Sequence, residues 1–402
     1  MHKIFFFLLL ACGVNTFSQS TDFDKLPSLA WQFKTGPIIS SPVMDVDGDL
    51  VYFGSLDRSL YALETKTGAL KWKYPTSGVI RSTVCLENDN LFFYSGNGVL
   101  YCLNKKSGKQ NWKFQTATGY LGDRRNDFAD YYHSSPIVQN GIVYFGSGDG
   151  YVYALKSSTG ELIWNYKTDD VVHTKPFLHH NRLFIGSFDG YLYALNAQTG
   201  LLHWKFKSTG QRFFPKGEIM GNPVVAKGLV LVGSRDFNFY AIDENSGYCH
   251  WIKTFPRGWA LPITPNDSVI YLGTSDDRQL FAVDIASGKV HWKADANFNI
   301  FGGTALGKTM GYFGTLKGQL VGIELKTGTV KWKFTNDASR THQAKYFKEN
   351  GDYRDDIGQL LPFPEDQLIM YQQLGAIFST PALSDDLLVI TCFDGTVYAL
   401  KK

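Results

Sequence analysis

Two histidines stand at matching places in the chain, each three residues before a proline, in His133-Ser134-Ser135-Pro136 and His173-Thr174-Lys175-Pro176. Arg81 holds the corresponding place one repeat earlier. Imidazole titrates near neutral pH, so such a basic group at the mouth of a channel would receive an anion or an acidic peptide. A solvated or core-edge histidine needs no ligand. Trp259, in Pro256-Arg257-Gly258-Trp259-Ala260, is the one tryptophan outside the regular pattern described below, and facing the same channel it would offer a stacking platform. The aspartates of Asp149-Gly150, Asp189-Gly190 and Asp394-Gly395 resemble metal ligands by type only. Each sits in a tight turn, where Asp bonds its own backbone two residues on, and turns in separate repeats cannot converge.

The elements that must hold these groups are written in the other eight tryptophans: Trp31, Trp72, Trp112, Trp164, Trp204, Trp251, Trp292 and Trp332. Their spacing is about 40 residues, stretched to 52 between Trp112 and Trp164 and to 47 between Trp204 and Trp251. Seven of them close an eleven-residue phrase that starts with a small residue and carries Thr-Gly or Ser-Gly in its middle, as in Ala194-Leu195-Asn196-Ala197-Gln198-Thr199-Gly200-Leu201-Leu202-His203-Trp204. The small residue leaves room for a neighbouring indole, and the glycine supplies the positive φ of a tight turn. Upstream, Asp-Gly between two alternating apolar runs marks a hairpin, and Ser-Pro or a variant marks the start of a strand.

Each repeat is therefore four antiparallel strands, A to D, and repeats of this length are the signature of a β-propeller. The Tyr-Ala-Leu phrase that ends strand C recurs eight times, with Tyr398 the last, so eight blades are expected. The C-terminal blade ends at Lys402 before its own fourth strand. Trp31 has no small-residue phrase before it, so the N-terminal strand is expected to complete that blade and close the ring, leaving no open sheet edge. The fold class is all-β, and residues 19–402 form one propeller domain.

With 44% hydrophobic residues and a formal charge of only +3, the chain can bury a large core and offers no electrostatic footprint for nucleic acid. Met1-His2-Lys3 followed by Ile4 to Val14 is a short basic region and an apolar stretch too short to span a bilayer, which indicates export. Two processing routes compete: cleavage after Ser18, or lipid attachment at Cys12 in Leu9-Leu10-Ala11-Cys12. The expected location is periplasmic or extracellular, with a possible outer-membrane lipid anchor, and the expected state is a monomer. Cys85, Cys102, Cys249 and Cys392 are scattered over different repeats without a metal or redox spacing, and buried free thiols are expected. His203, His250 and His291 each precede a strand-D tryptophan, so alternation turns them to solvent.

The Ala-x-x-x-x-Thr-Gly-x-x-x-Trp phrase resembles the tryptophan-docking motif of the pyrroloquinoline quinone (PQQ)-type eight-bladed propellers. The resemblance covers about residues 30 to 402 and implies one of two branches. One contains the quinoprotein dehydrogenases, which use the quinone and calcium; the other contains non-enzymatic proteins similar to BamB, which serve β-barrel assembly in the outer membrane. The dehydrogenase branch implies adjacent cysteines over the cofactor, or a Cys-x-x-Cys-His haem site, and the sequence has neither. Its calcium needs several convergent oxygens. The positions three before the lead-in proline or its equivalent are Ile39, Arg81, His133, His173, Met220, Gly302 and Phe378, a ring without an acid. No catalytic, cofactor or metal residue is therefore assigned.

What the repeat does not explain are its insertions, at about residues 115–132, 207–220 and 336–377. All three connect strand D of one blade to strand A of the next, so they emerge on one face, where binding residues on a rigid scaffold usually sit. Arg124, Arg125, Phe213, Phe214, Phe363 and Tyr371 are the arginine and aromatic candidates there for a protein partner, the β-barrel assembly machinery being the one the resemblance implies. The other expectation for the longest insertion is that it caps the channel and buries its own apolar residues. An exported, non-catalytic scaffold is the reading preferred over a quinoprotein dehydrogenase or a carbohydrate-binding sensor.

Overall fold

The structure is a computed structural model and describes residues 22–45, 47–117, 123, 124, 127 and 129–402. Eight four-stranded antiparallel sheets stand around a ring. Blade 4 shows the unit: Phe177–His179, Arg182–Gly186, Tyr191–Asn196 and Leu202–Lys207. Its middle strands are buried except at half-buried ends, whereas the outer strand alternates exposed and covered positions. That pattern follows from burial on two faces inside and one face outside.

Ser28–Lys34 pairs with the C-terminal strand Thr396–Lys401, with Trp31 opposite Ala399. The ring is thus closed by joining the two ends of the described chain. The export segment, with Cys12 and Ser18, lies outside the described residues. No helix among the described residues is long and apolar enough to cross a membrane.

Adjacent blades are held by the tryptophans, which dock on a neighbouring turn and not, as the repeat phrase suggests, over the neighbour's small residue. Trp204 lies directly opposite Ala194 of its own blade, so the small residue makes room for its own indole. The neighbour's indole rests on the turn glycine instead: a Cβ on Gly200 would come within 2.7 Å of Trp164. The reason is direction, since the outer strand's ring reaches sideways to the C–D turn of the following blade. There each indole N–H donates to a backbone carbonyl, as Trp31 does to Thr65, Trp72 to Lys105, Trp112 to Ser157 and Trp164 to Ala197. Trp204, Trp251 and Trp292 repeat the contact on Glu244, Ile285 and Leu325. Trp332 has no such turn to meet and donates to Phe23 at 2.7 Å, so the N-terminal segment also completes the last junction.

The insertion at 336–377 is not an open loop. It contains helices α1 (Asp337–Tyr346), α2 (Ile357–Leu360) and α3 (Asp366–Gln373). Asn336 caps α1 by accepting from the Ser339 N–H at 2.8 Å, and Asp337 and Lys345 complement the helix dipole at its two ends. The same Asn336 donates to the Gly375 carbonyl at 2.7 Å, fastening the end of the insertion to its beginning. Tyr346, Phe347, Met370, Tyr371 and Leu374 then pack against Ile39, Phe188, Leu261, Phe301, Phe378 and Phe393 from around the ring. This apolar plug caps the channel on the face that carries the insertions.

Candidate functional site

The strand-A lead-ins converge on the channel axis. Around it, a backbone N–H of one blade donates to the side chain before the proline of the next, or before Val84 in blade 2: Ser41 to Thr83 at 3.2 Å, Thr83 to Ser135 at 2.9 Å, Lys175 to Asn222 at 2.6 Å and Thr380 to Ser41 at 3.0 Å. Two cavities share this ring. One, of about 630 Å³, opens beneath it between the first strands and is lined by the lead-in prolines, apolar strand-A residues, Lys175 and Lys308, with no carboxylate. The other, of about 130 Å³, lies under the plug and is lined by His133, His173, Asp130, Tyr132 and Phe301, among others.

His133 and His173 are both buried. They therefore sit inside the channel and not at its mouth. The acid absent from the ring positions arrives from the first insertion. His173 Nδ1 faces the Asp130 carboxylate at 2.8 Å, and its Nε2 lies 3.0 Å from Asp123. The other oxygen of Asp123 accepts from the Gly148 N–H at 2.5 Å and from the Tyr94 hydroxyl at 2.9 Å. Two glycines make room for the cluster: a Cβ on Gly148 would meet the Arg124 backbone of the insertion at 2.4 Å, and one on Gly96 would meet the His133 ring at 2.9 Å. Other blades carry Leu56, Phe188, Leu316 or Phe393 at the matching hairpin position.

The electrostatics follow from these contacts. Burial alone would make His173 neutral, but Asp130 and Asp123 reverse this and hold the imidazolium, with its pKa raised to about 10. Burial opposes charge on Asp123 as well, yet His173 and His133 pull its carboxyl down to about 2. His133 goes the other way, to about 3, because burial outweighs Asp123 and the nearby Arg81 and His173 add repulsion. The cluster is therefore an imidazolium held between two carboxylates, beside one neutral imidazole. A base with so low a pKa is mismatched to proton abstraction near neutral pH.

A second charged group was missed at sequence level. Arg235 is 2% exposed, its guanidinium 4.5 Å from the Phe214 ring and 4.9 Å from the Trp259 ring, with Nη1 2.8 Å from Asp127. Trp259 is thereby committed to packing on an arginine. The available signal was Arg235 in a hairpin slot that is apolar or glycine in most other blades.

The surface candidates divide. Phe213 is 72% and Phe363 66% exposed. Arg124 pairs with Asp170 at 2.6 Å. Phe214 stacks on Arg235 and Tyr371 is buried in the plug, so neither is a surface anchor, and Arg125 lies outside the described residues. Asp149 and Asp189 do their turn chemistry, each accepting the backbone N–H two residues on and the hydroxyl of Tyr153 or Tyr193. Among the described residues Cys85, Cys102, Cys249 and Cys392 form no disulfide, and burial pushes the Cys102 thiol up to about 12. His203, His250 and His291 are exposed.

A calcium and quinone pair does not fit this donor set. Asp123 and Asp130 are spent on histidine, and the larger cavity has no acid. The inner cavity is also well below the roughly 300–1,000 Å³ of ordinary small-molecule sites.

Ring, docked tryptophans and capped channel define an eight-bladed β-propeller of the PQQ-repeat class. Within it, the chain belongs to the family described as outer membrane protein assembly factor BamB, whose model matches residues 22–134, 125–215 and 211–347. Among solved structures it is similar to BamB from Moraxella catarrhalis, with 15% identity, a TM-score of 0.69 and coverage of 94% of this chain and 100% of that one. It is also similar to a europium-containing methanol dehydrogenase, at 13% identity, TM-score 0.67 and 93% of each chain. A quinohemoprotein alcohol dehydrogenase from Comamonas testosteroni follows at 16% identity and TM-score 0.67, over 93% of this chain and 76% of that one. At these identities the likeness is one of fold. No curated protein matches the chain.

Proposed function

We propose that this protein is an exported, non-catalytic propeller that binds protein partners of the cell envelope in outer-membrane protein assembly, acting as a monomer. Membership of the BamB family carries the reading. The capped face supports it: the channel is sealed with the chain's own side chains, while Phe213, Phe363 and Ile369, at 53–72% exposure, point outward around it. Exposed aromatic residues on a rigid face are the usual anchors of protein interfaces. The pairing of Asp123 and Asp130 with His173 and the depressed pKa of His133 favour this reading over the dehydrogenase alternative.

Affinity purification from envelope membranes in mild detergent tests the proposal. Recovery of β-barrel assembly components, weakened by Phe213→Ala with Phe363→Ala, is the expected result; a clean preparation without them rejects it. Dye-linked alcohol or sugar oxidation with added quinone and calcium is expected to stay at background. Mass measurement of the mature N-terminus separates an acylated Cys12 from cleavage after Ser18.

A further inference from the structure

On the face opposite the cap, a cluster of side chains bridges blades 4 and 5. His179 and His180 stand at the A–B turn of blade 4, and Glu244 at the C–D turn of blade 5. His179 Nδ1 lies 2.6 Å from one Glu244 oxygen, and His180 Nδ1 lies 3.9 Å from the other. All three donor atoms fall within 4.8 Å of one another. The imidazole rings are 3.8 Å apart between centroids. Glu244 is 9% exposed at its side chain, whereas His180 is 73% exposed, so a buried carboxylate looks out to solvent past two imidazoles. We infer that His179, His180 and Glu244 form a binding site for a divalent transition-metal ion of the Zn²⁺ type.

Two imidazole nitrogens and one carboxylate oxygen are the donors such ions prefer, and too few oxygens for calcium or magnesium. With ligand bonds of about 2.0–2.2 Å, a tetrahedral ion needs its donors a little over 3 Å apart. Opening the His179–Glu244 contact slightly and drawing His180 inward meets that requirement. Each imidazole keeps its proton on Nε2 and gives its Nδ1 lone pair to the ion, and the fourth position stays open to water or a partner's side chain.

The backbone gives an independent reason to expect a role for this turn. His180 and Asn181 have φ of 45° and 61°, where the equivalent turns use Asn140-Gly141 and Lys227-Gly228. Blade 4 thus holds two side chains in the left-handed region where two other blades place a glycine at the second position, and such local strain concentrates at ligand sites. The site also straddles a docked tryptophan, since the Glu244 carbonyl accepts from Trp204 at 3.1 Å. A bound ion would therefore fasten the junction between blades 4 and 5 from outside.

Calorimetric titration of the tag-free protein with Zn²⁺ tests the inference. One ion per chain with a micromolar or tighter Kd is expected, with a rise in thermal midpoint on saturation. His180→Ala, on an exposed side chain, should weaken binding by about tenfold or more, and Glu244→Gln should do the same without a change of shape. His203→Ala, on the outer strand of blade 4, should bind as the parent does. Absence of saturable binding, or wild-type affinity in both His180→Ala and Glu244→Gln, overturns the site.

Discussion

The two ends of the central channel are built from the same repeat and have opposite characters. At the open end only the repeat's own residues are present: lead-in prolines, apolar strand-A side chains and a ring of hydroxyl and amide contacts between blades. At the capped end, insertions supply a helical plug and three aspartates, each set against a buried cation or imidazole. A propeller needs no cap for its blades to pack, since neighbouring sheets already bury one another. The closure is thus an addition to the fold, and its aspartates are paired internally before any partner arrives.

If the capped end is a true core, truncation there should be costly and truncation at the open end cheap. Phe378→Ala, where the ring meets the plug, is expected to lose about 3–5 kcal/mol in urea unfolding. His173→Gln leaves Asp123 and Asp130 buried without their cation and is expected to lose about 3 kcal/mol at neutral pH. Arg235→Met keeps much of the volume but forfeits the contacts to Phe214 and Trp259, at roughly 2 kcal/mol. Lys308→Ala at the open mouth should stay within about 0.5 kcal/mol. Equal effects at the two ends would show that the cap is only laid on the ring.

The pH dependence sharpens the same contrast. The folded pKa of His173, about 10, lies above the ordinary 6.5, so its stabilisation is complete below about pH 6.5 and is lost as pH rises through 10. His133, held at about 3, acts in the opposite sense: the unfolded chain binds its proton first, and stability falls as pH drops from 6.5 towards 3. Asp123 adds to that acid loss as its carboxyl is protonated near 2. Urea midpoints at pH 5, 7 and 9 should therefore decline on both sides of neutrality, and His173→Gln should flatten the alkaline side.

Much of this was legible in the chain, for reasons that lie in single repeats. The Ala-to-Trp phrase, the Asp-Gly hairpins and the proline lead-ins are local, and each specifies one strand or turn wherever it occurs. Trp31 without a phrase and Tyr398 without a following strand were enough to pair the chain's two ends, as the Trp31–Ala399 register shows. Helix α1 was not legible, because Asp337–Tyr346 is polar almost all round and buries only Ser339 and Tyr346. Tyr371 and Phe214 carried the composition of interface anchors and turned out to be packed inward, a distinction that burial alone makes.

The sequence by itself determined the architecture: eight blades, tryptophans at their junctions and the ring closure, since these rest on a short pattern repeated until it admits one arrangement, whereas the surface on which each indole docks came from the structure. The tertiary structure decided the chemistry of the channel. His173 is an imidazolium and His133 a neutral ring although they occupy identical repeat positions. The difference comes from Asp123 and Asp130 reaching them across blades, and from how completely each ring is removed from water. Coulomb partners and desolvation depend on which distant segments meet, and that is settled only when the ring has closed around them.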